Sequence, residues 1–239
     1  MIQLIIFDFD DTLTDNRSLD YHAFLIPCKK LGLSIPNFNK VSTLRKKGYL
    51  AKDIMMMHLK KEKKEQLIQQ FLDARNKFLN SEKSLSHLKL KENTKSVLYF
   101  LKRKKIPCVL CTARKNKKHI LNFLIKNQII SYFSNVYFME DLKFSMDNLA
   151  ASNRVLIKNI LVRKIIKNAK LHPKEMIFVG NSIDDLITSQ NMKIPFIYFQ
   201  NSYLEKNTSK KIIKVKNMKC LQKELNRYIK KDVKNVLND

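Results

Sequence analysis

The feature that most constrains this chain is a set of short apolar runs without polar interruption. Leu4-Ile5-Ile6-Phe7 is the first, closed by Asp8. Val109-Leu110-Cys111, Val136-Tyr137-Phe138, Met176-Ile177-Phe178-Val179 and Phe196-Ile197-Tyr198-Phe199 repeat it. Half-buried strands alternate apolar and polar residues. Continuous runs of this length suit strands covered on both faces, as in a parallel sheet. Helical spacing fills the gaps, with Val97, Leu98 and Leu101, then Ile120, Leu121 and Leu124, then Ile157, Leu161, Ile165 and Ile166. Such alternation predicts an α/β fold with an open parallel sheet and ligands at the carboxyl ends of its strands. Ile212-Ile213 reads as a last edge strand, and Asn217 as the N-cap of a final helix carrying Leu221, Leu225 and Ile229.

From Asn16 to Leu90 the strand pattern is missing. Tyr21–Leu25, Met55–Leu59 and Leu67–Leu72 read as helical segments of an insertion after the first strand. Met55, Met56 and Met57 are expected to fill a core there.

Charge is the loudest compositional signal. Lys and Arg number 47 against 21 Asp and Glu, a formal net charge of +26 over 239 residues. That balance admits nucleic acid, an anionic membrane surface or a polyanionic substrate as partner. The excess is overwhelmingly lysine and runs along the whole chain, which fits a general compositional bias better than a selected readout surface. Nucleic acid is therefore possible but not favoured. No apolar run approaches the roughly 20 residues of a membrane span, and Met1-Ile2-Gln3 leads straight into a strand rather than a signal peptide. Four scattered cysteines suit a reducing, cytoplasmic setting. Cys108 and Cys111 form a C-x-x-C, but on a strand they point to opposite faces and read as buried structural thiols. His22, His58, His87, His119 and His172 are expected to form no cluster.

Chemistry concentrates at the ends of the apolar runs. In an extended chain Asp8 and Asp10 share a face, so both can enter one pocket at the sheet's carboxyl edge. A buried carboxylate needs a partner, and oxygen ligands alone suit Mg²⁺. A solvated acidic turn is the alternative. Thr112 ends a second strand, and Gly180-Asn181-Ser182-Ile183-Asp184-Asp185 follows another, fed by a helix carrying Lys158.

In this order the elements resemble the haloacid dehalogenase-like (HAD) hydrolase superfamily, over about residues 2 to 200. Asp8 and Asp10 match its first motif, Thr112 its second, Lys158 its third, and Gly180 with Asp185 its fourth. Arg154 is the runner-up for the third. The resemblance implies a Rossmann-like parallel sheet core flanked by helices (residues 1–15 and 91–239), with an inserted all-helical cap domain (16–90). It implies Asp8 as nucleophile, Asp10 as general acid and base, Thr112 and Lys158 as phosphate-binding groups, and Mg²⁺ held by Asp8, Asp10, Asp185 and Asn181. Three positions depart from the family pattern: Asp11 and Asn181 stand where Gly and Asp are frequent, and Asp184 where Asn is frequent. The presence of Asp10 points to a leaving group that needs a proton, so a phosphatase or phosphomutase is expected rather than a dehalogenase. Phe9 in place of Lys argues against a transport ATPase. Within the superfamily the chain resembles the phosphoglycolate-phosphatase-like phosphatase branch with a helical cap, which implies a small phosphorylated metabolite as substrate. A polynucleotide phosphatase, a nucleic-acid-binding protein and a phosphomutase are the alternatives. Arg45, Lys46, Lys47 and Gly48 fall where a cap loop could reach substrate, or else form a solvated basic turn.

Overall fold

The structure is a computed structural model that describes residues 1–46, 49–59, 64–114, 116–142, 154–200 and 212–236. The chain divides into two compact units. One comprises Met1–Thr14 with Leu90–Asp239, the other Asp15–Lys89.

In chain order the elements are β1 (Leu4–Phe7), β2 (Thr14–Asp15), α1 (Arg17–Lys30), α2 (Phe38–Lys46), α3 (Ala51–His58), α4 (Lys64–Leu79), β3 (Lys89–Leu90) and α5 (Thr94–Arg103). There follow β4 (Cys108–Thr112), α6 (Lys117–Lys126), β5 (Phe133–Phe138), α7 (Arg154–Ala169), β6 (Met176–Gly180), α8 (Ile183–Asn191), β7 (Phe196–Phe199), β8 (Ile213–Val215) and α9 (Met218–Val236). Six of the strands make one sheet in the order β5-β4-β1-β6-β7-β8, and every pairing in it is parallel.

The first strand lies inside the sheet, with β4 on one side and β6 on the other. The chain builds outward to β5, then returns to build the opposite half. Such a reversal opens a crevice at the strands' carboxyl ends. It also explains the uninterrupted apolar runs. Leu4 and Ile6 pack into a cluster with Ile157, Leu161 and Ile165 of α7. Ile5 and Phe7, on the other face, are equally buried. One expected strand proves longer than its apolar core, since β5 begins at Phe133. Ser134 and Asn135 lie exposed on this edge strand, so their polarity hides it from an apolar reading. The N-cap of the last helix forms as expected, with Asn217 Oδ1 accepting from the Cys220 amide at 2.9 Å.

The inserted unit owns a separate core of Phe24, Cys28, Val41, Ala51, Ile54, Met55, Ile68 and Phe71. Helical spacing puts Ala51, Ile54 and Met55 of α3 on one stripe. Met56 and Met57 rotate out of it and are exposed, so only Met55 fills the core. The histidines also depart from expectation. The rings of His22 and His87 stack with centroids 3.7 Å apart. Burial, then the neighbouring His22, holds the His87 pKa below its ordinary value.

Candidate active site

The ladder of β1 continues one residue past its end, where the Asp8 amide donates to Val179 O at 2.9 Å. This fixes Asp8 against β6 while its side chain turns inward, 4% exposed. Phe9 is fully buried, and the chain then reverses. Leu13 N and Thr14 Oγ1 donate to Phe9 O at 3.1 and 3.0 Å. Asp11 adopts φ +54° in this turn. Left-handed backbone is least strained for Gly and tolerable for Asp, which explains an acid at a position where the resembling family often has Gly.

Three charged side chains meet in the interior. Lys158, from α7, donates to Asp8 Oδ1 at 2.7 Å and also to Asp185 Oδ1. All three side chains are nearly sequestered from solvent. Burial opposes the Lys158 ammonium, but the carboxylates of Asp185 and Asp8 overcome it and hold its pKa above the ordinary lysine range. Two acids facing one base leave a net negative charge. Burial, then the charge of Asp185, raises Asp8 to about 7 against the lowering pull of Lys158, and Asp10 adds to the rise.

The fourth-motif loop is built to aim Asp185. Ser182 caps α8, its Oγ accepting from the Asp185 amide at 3.2 Å. Asp185 Oδ2 in return accepts from Asn181 N at 3.2 Å, Ser182 N at 3.0 Å and Ser182 Oγ at 2.7 Å. This reciprocal capping box leaves Oδ1 for Lys158. A side chain at Gly180 has no room. A Cβ there would stand 2.6 Å from both Cβ and Cγ of Asp185.

The structure thus brings Asp8, Lys158, Asp185 and Asn181 together, Asn181 through Thr12. The Thr12 hydroxyl lies 3.0 Å from Asp8 Oδ2 and 3.2 Å from Asn181 Oδ1. One hydroxyl proton serves one of these acceptors at a time. Both acceptors are hard oxygens of the type Mg²⁺ prefers, and Mg²⁺ commonly keeps several waters rather than a full protein cage. Among the described residues no three His, Cys, Asp or Glu side chains form such a cage.

The Asp10 carboxylate is held by an arginine. Arg114 holds it in a fork, with Nε at 2.9 and 2.8 Å from the two oxygens and Nη2 at 2.6 Å from Oδ1. The guanidinium carbon sits 5.7 Å from the Phe9 ring centroid, and the Arg114 amide donates to Thr112 Oγ1 at 3.2 Å. Thr112 is buried at the end of β4 as the spacing implies. Sequence reasoning passed over Arg114, Thr12 and Ser182 as working residues. For Arg114 a signal existed. Only eight arginines stand among the 47 basic residues, and arginine offers a planar fork that lysine lacks.

The model for haloacid dehalogenase-like hydrolases matches residues 5–199. The chain belongs to this family. Asp8 and Asp10 follow β1, Thr112 ends β4, Lys158 lies on α7 and Gly180 ends β6, the order in which the resemblance lays out its four motifs. No curated protein matches the HAD chain in sequence. Solved structures do match it. A haloacid dehalogenase-like hydrolase from Streptococcus pneumoniae has 18% identity and a TM-score of 0.66, with 95% of this chain and 98% of that one covered. A predicted phosphatase from Clostridium acetobutylicum has 16% identity and a TM-score of 0.67, over 95% and 99%. A predicted phosphoglycolate phosphatase from Haemophilus somnus has 18% identity and a TM-score of 0.62, over 84% and 87%. At these identities the likeness is one of fold. Among the described residues no helix is long and apolar enough to cross a membrane.

Proposed function

We propose that this HAD protein is a Mg²⁺-dependent phosphatase that hydrolyses a small phosphate monoester through an aspartyl-phosphate on Asp8. The observation that carries the reading is the buried Asp8 carboxylate, oriented at one oxygen by Lys158 and at the other by Thr12. A carboxylate so held has little rotational freedom left, which favours attack from one direction.

In the first half-reaction an Asp8 oxygen bonds to phosphorus and the ester P–O bond breaks. The leaving oxygen takes a proton from Asp10 and departs as the alcohol. In the second, Asp10 takes a proton from water as the water oxygen bonds to phosphorus. The bond between phosphorus and Asp8 breaks, and inorganic phosphate leaves with Asp8 restored. Lys158 balances charge at Asp8 throughout, and we assign to the Thr112 hydroxyl a contact with a phosphoryl oxygen. The fork of Arg114 on both Asp10 oxygens suits the ionised form that acts as base; in the acid step Asp10 carries its proton on one oxygen and Arg114 holds the other. Asp8, Asn181, Asp185 and the Asp10 backbone carbonyl would hold Mg²⁺, which supplies positive charge to the phosphoryl oxygens and favours the ionised form of Asp8.

The inserted helical unit, entering between the first and second motifs, is the element to which we give substrate choice. The free thiols of Cys28, Cys108, Cys111 and Cys220 fit a cytoplasmic setting. Purified protein with Mg²⁺ is expected to release phosphate from an aryl phosphate, and Asp8→Asn to abolish the release. Full activity in Asp8→Asn would overturn the assignment. Isomerisation of a sugar phosphate without net phosphate release would replace it with a phosphomutase.

A further inference from the structure

We propose that the inserted unit carries an oxyanion-binding site of its own, formed by Arg45 and Arg75 around Asp20, which takes the carboxylate or phosphate group of a small molecule.

Three helices bring the groups together. Asp20 lies on α1, Arg45 near the end of α2 and Arg75 on α4. Arg45 Nε stands 3.7 Å and Arg75 Nη2 3.9 Å from the same Asp20 oxygen. Both separations exceed hydrogen-bond length. Neither guanidinium closes on the carboxylate, and the Nε–H of each is buried without a hydrogen-bond partner. The protein shows elsewhere what a closed pair looks like, since Arg114 grips Asp10 with contacts of 2.6 to 2.9 Å.

The cluster is also unbalanced in charge, with two guanidinium groups to one carboxylate. The Arg75 side chain is only 13% exposed. Its guanidinium carbon lies 5.8 Å from the Phe24 ring centroid, and Arg45 Nη1 is anchored on Tyr49 O at 3.0 Å. Burial, then repulsion from Arg45, pulls the Arg75 pKa down to about 10 despite Asp20. Paired, pre-anchored guanidinium forks with unused donors match an oxyanion that offers two acceptor oxygens. Such a ligand would supply both the missing acceptors and the missing negative charge. A cluster serving only to tie three helices together would gain most by closing on Asp20, and it does not close.

The site goes beyond the phosphatase reading, and its test is read as binding. Isothermal titration of the metal-free full chain with malonate, and separately with inorganic phosphate, is expected to show saturable binding. Arg45→Gln and Arg75→Gln should each weaken malonate binding at least tenfold. Asp20→Asn, which removes the internal competitor, should strengthen it severalfold. Far-UV circular dichroism checks that each variant folds, and the gain in Asp20→Asn keeps the test decisive if an arginine variant does not. Equal malonate affinity in all four proteins, or no binding in any, would overturn the proposal. Kinetics then separate two sources of the anion. If the group belongs to substrate, Arg75→Gln lowers kcat/KM for a carboxylate-bearing phosphate monoester and spares phenyl phosphate. If the anion is a separate ligand, both substrates respond alike while malonate binding is still lost.

Discussion

Lys158 donates to Asp8 at 2.7 Å across 150 residues of sequence, and the same ammonium reaches Asp185 on the far side. One buried cation therefore serves two buried anions, and each depends on the other two. Lys158→Met should remove the only positive charge this trio contains and leave two carboxylates in a desolvated site. Breaking a buried pair from one side costs about 3–5 kcal/mol. Urea unfolding should register a loss of that order, and phosphate release should fall by at least a hundredfold.

The raised Asp8 pKa links the site to pH. Its folded value of about 7 lies above the ordinary 3.8, so the native state binds this proton more tightly than the unfolded chain. The Asp8 contribution to stability is therefore lost as pH rises from about 4 to about 7, and is level above that window. Asp8→Asn should flatten this slope in metal-free protein. The stability of Asp8→Asn relative to the parent should therefore be more favourable at pH 8 than at pH 5. Thermal melts at pH 5 and pH 8, with and without the substitution, measure the difference.

Gly180 is demanded by space. Its backbone passes so close to Asp185 that a methyl group would meet carbon at 2.6 Å. Gly180→Ala should push Asp185 out of its capping box and away from Lys158. Overpacking of this kind costs about 1–3 kcal/mol. Activity should drop more than tenfold, beyond what the stability loss explains, and the two can be compared in one preparation.

On the proposed mechanism Arg114 acts through Asp10, so its loss should appear in turnover. Arg114→Lys keeps the charge and gives up the planar fork. We expect kcat to fall about tenfold to a hundredfold with KM within about threefold, because proton transfer suffers and ground-state binding does not. Steady-state kinetics over pH 5 to 9 test this, and a change in KM alone would contradict it.

Thiol chemistry tests the packing independently. Burial pushes Cys108 and Cys111 up to about 12 and Cys28 up to about 11, whereas Cys220 is partly exposed. Because the thiolate is the reactive form, iodoacetamide at pH 8 should label Cys220 in the native protein and all four cysteines only after unfolding. Mass spectrometry counts the adducts.

Much of this protein was determined by sequence alone. Uninterrupted apolar runs require two covered faces, and that requirement produced the parallel sheet and four of its six strands to within a residue at each end. The acids after β1 and the glycine turn after β6 could be placed because strand ends in such sheets converge. What only the tertiary structure decided is pairing. The i, i+2 spacing puts Asp8 and Asp10 on one face, but the chain reverses directly after Phe9, and Arg114, 104 residues away, takes the Asp10 carboxylate. Local periodicity could not show that Met56 and Met57 turn outward while Met55 turns in, since three consecutive methionines carry no phase of their own. Nor could it show His22 stacked on His87, or Arg45 and Arg75 facing one Asp20. Each of these depends on which helices pack side by side, and long-range packing is set by the whole core rather than by any segment of it.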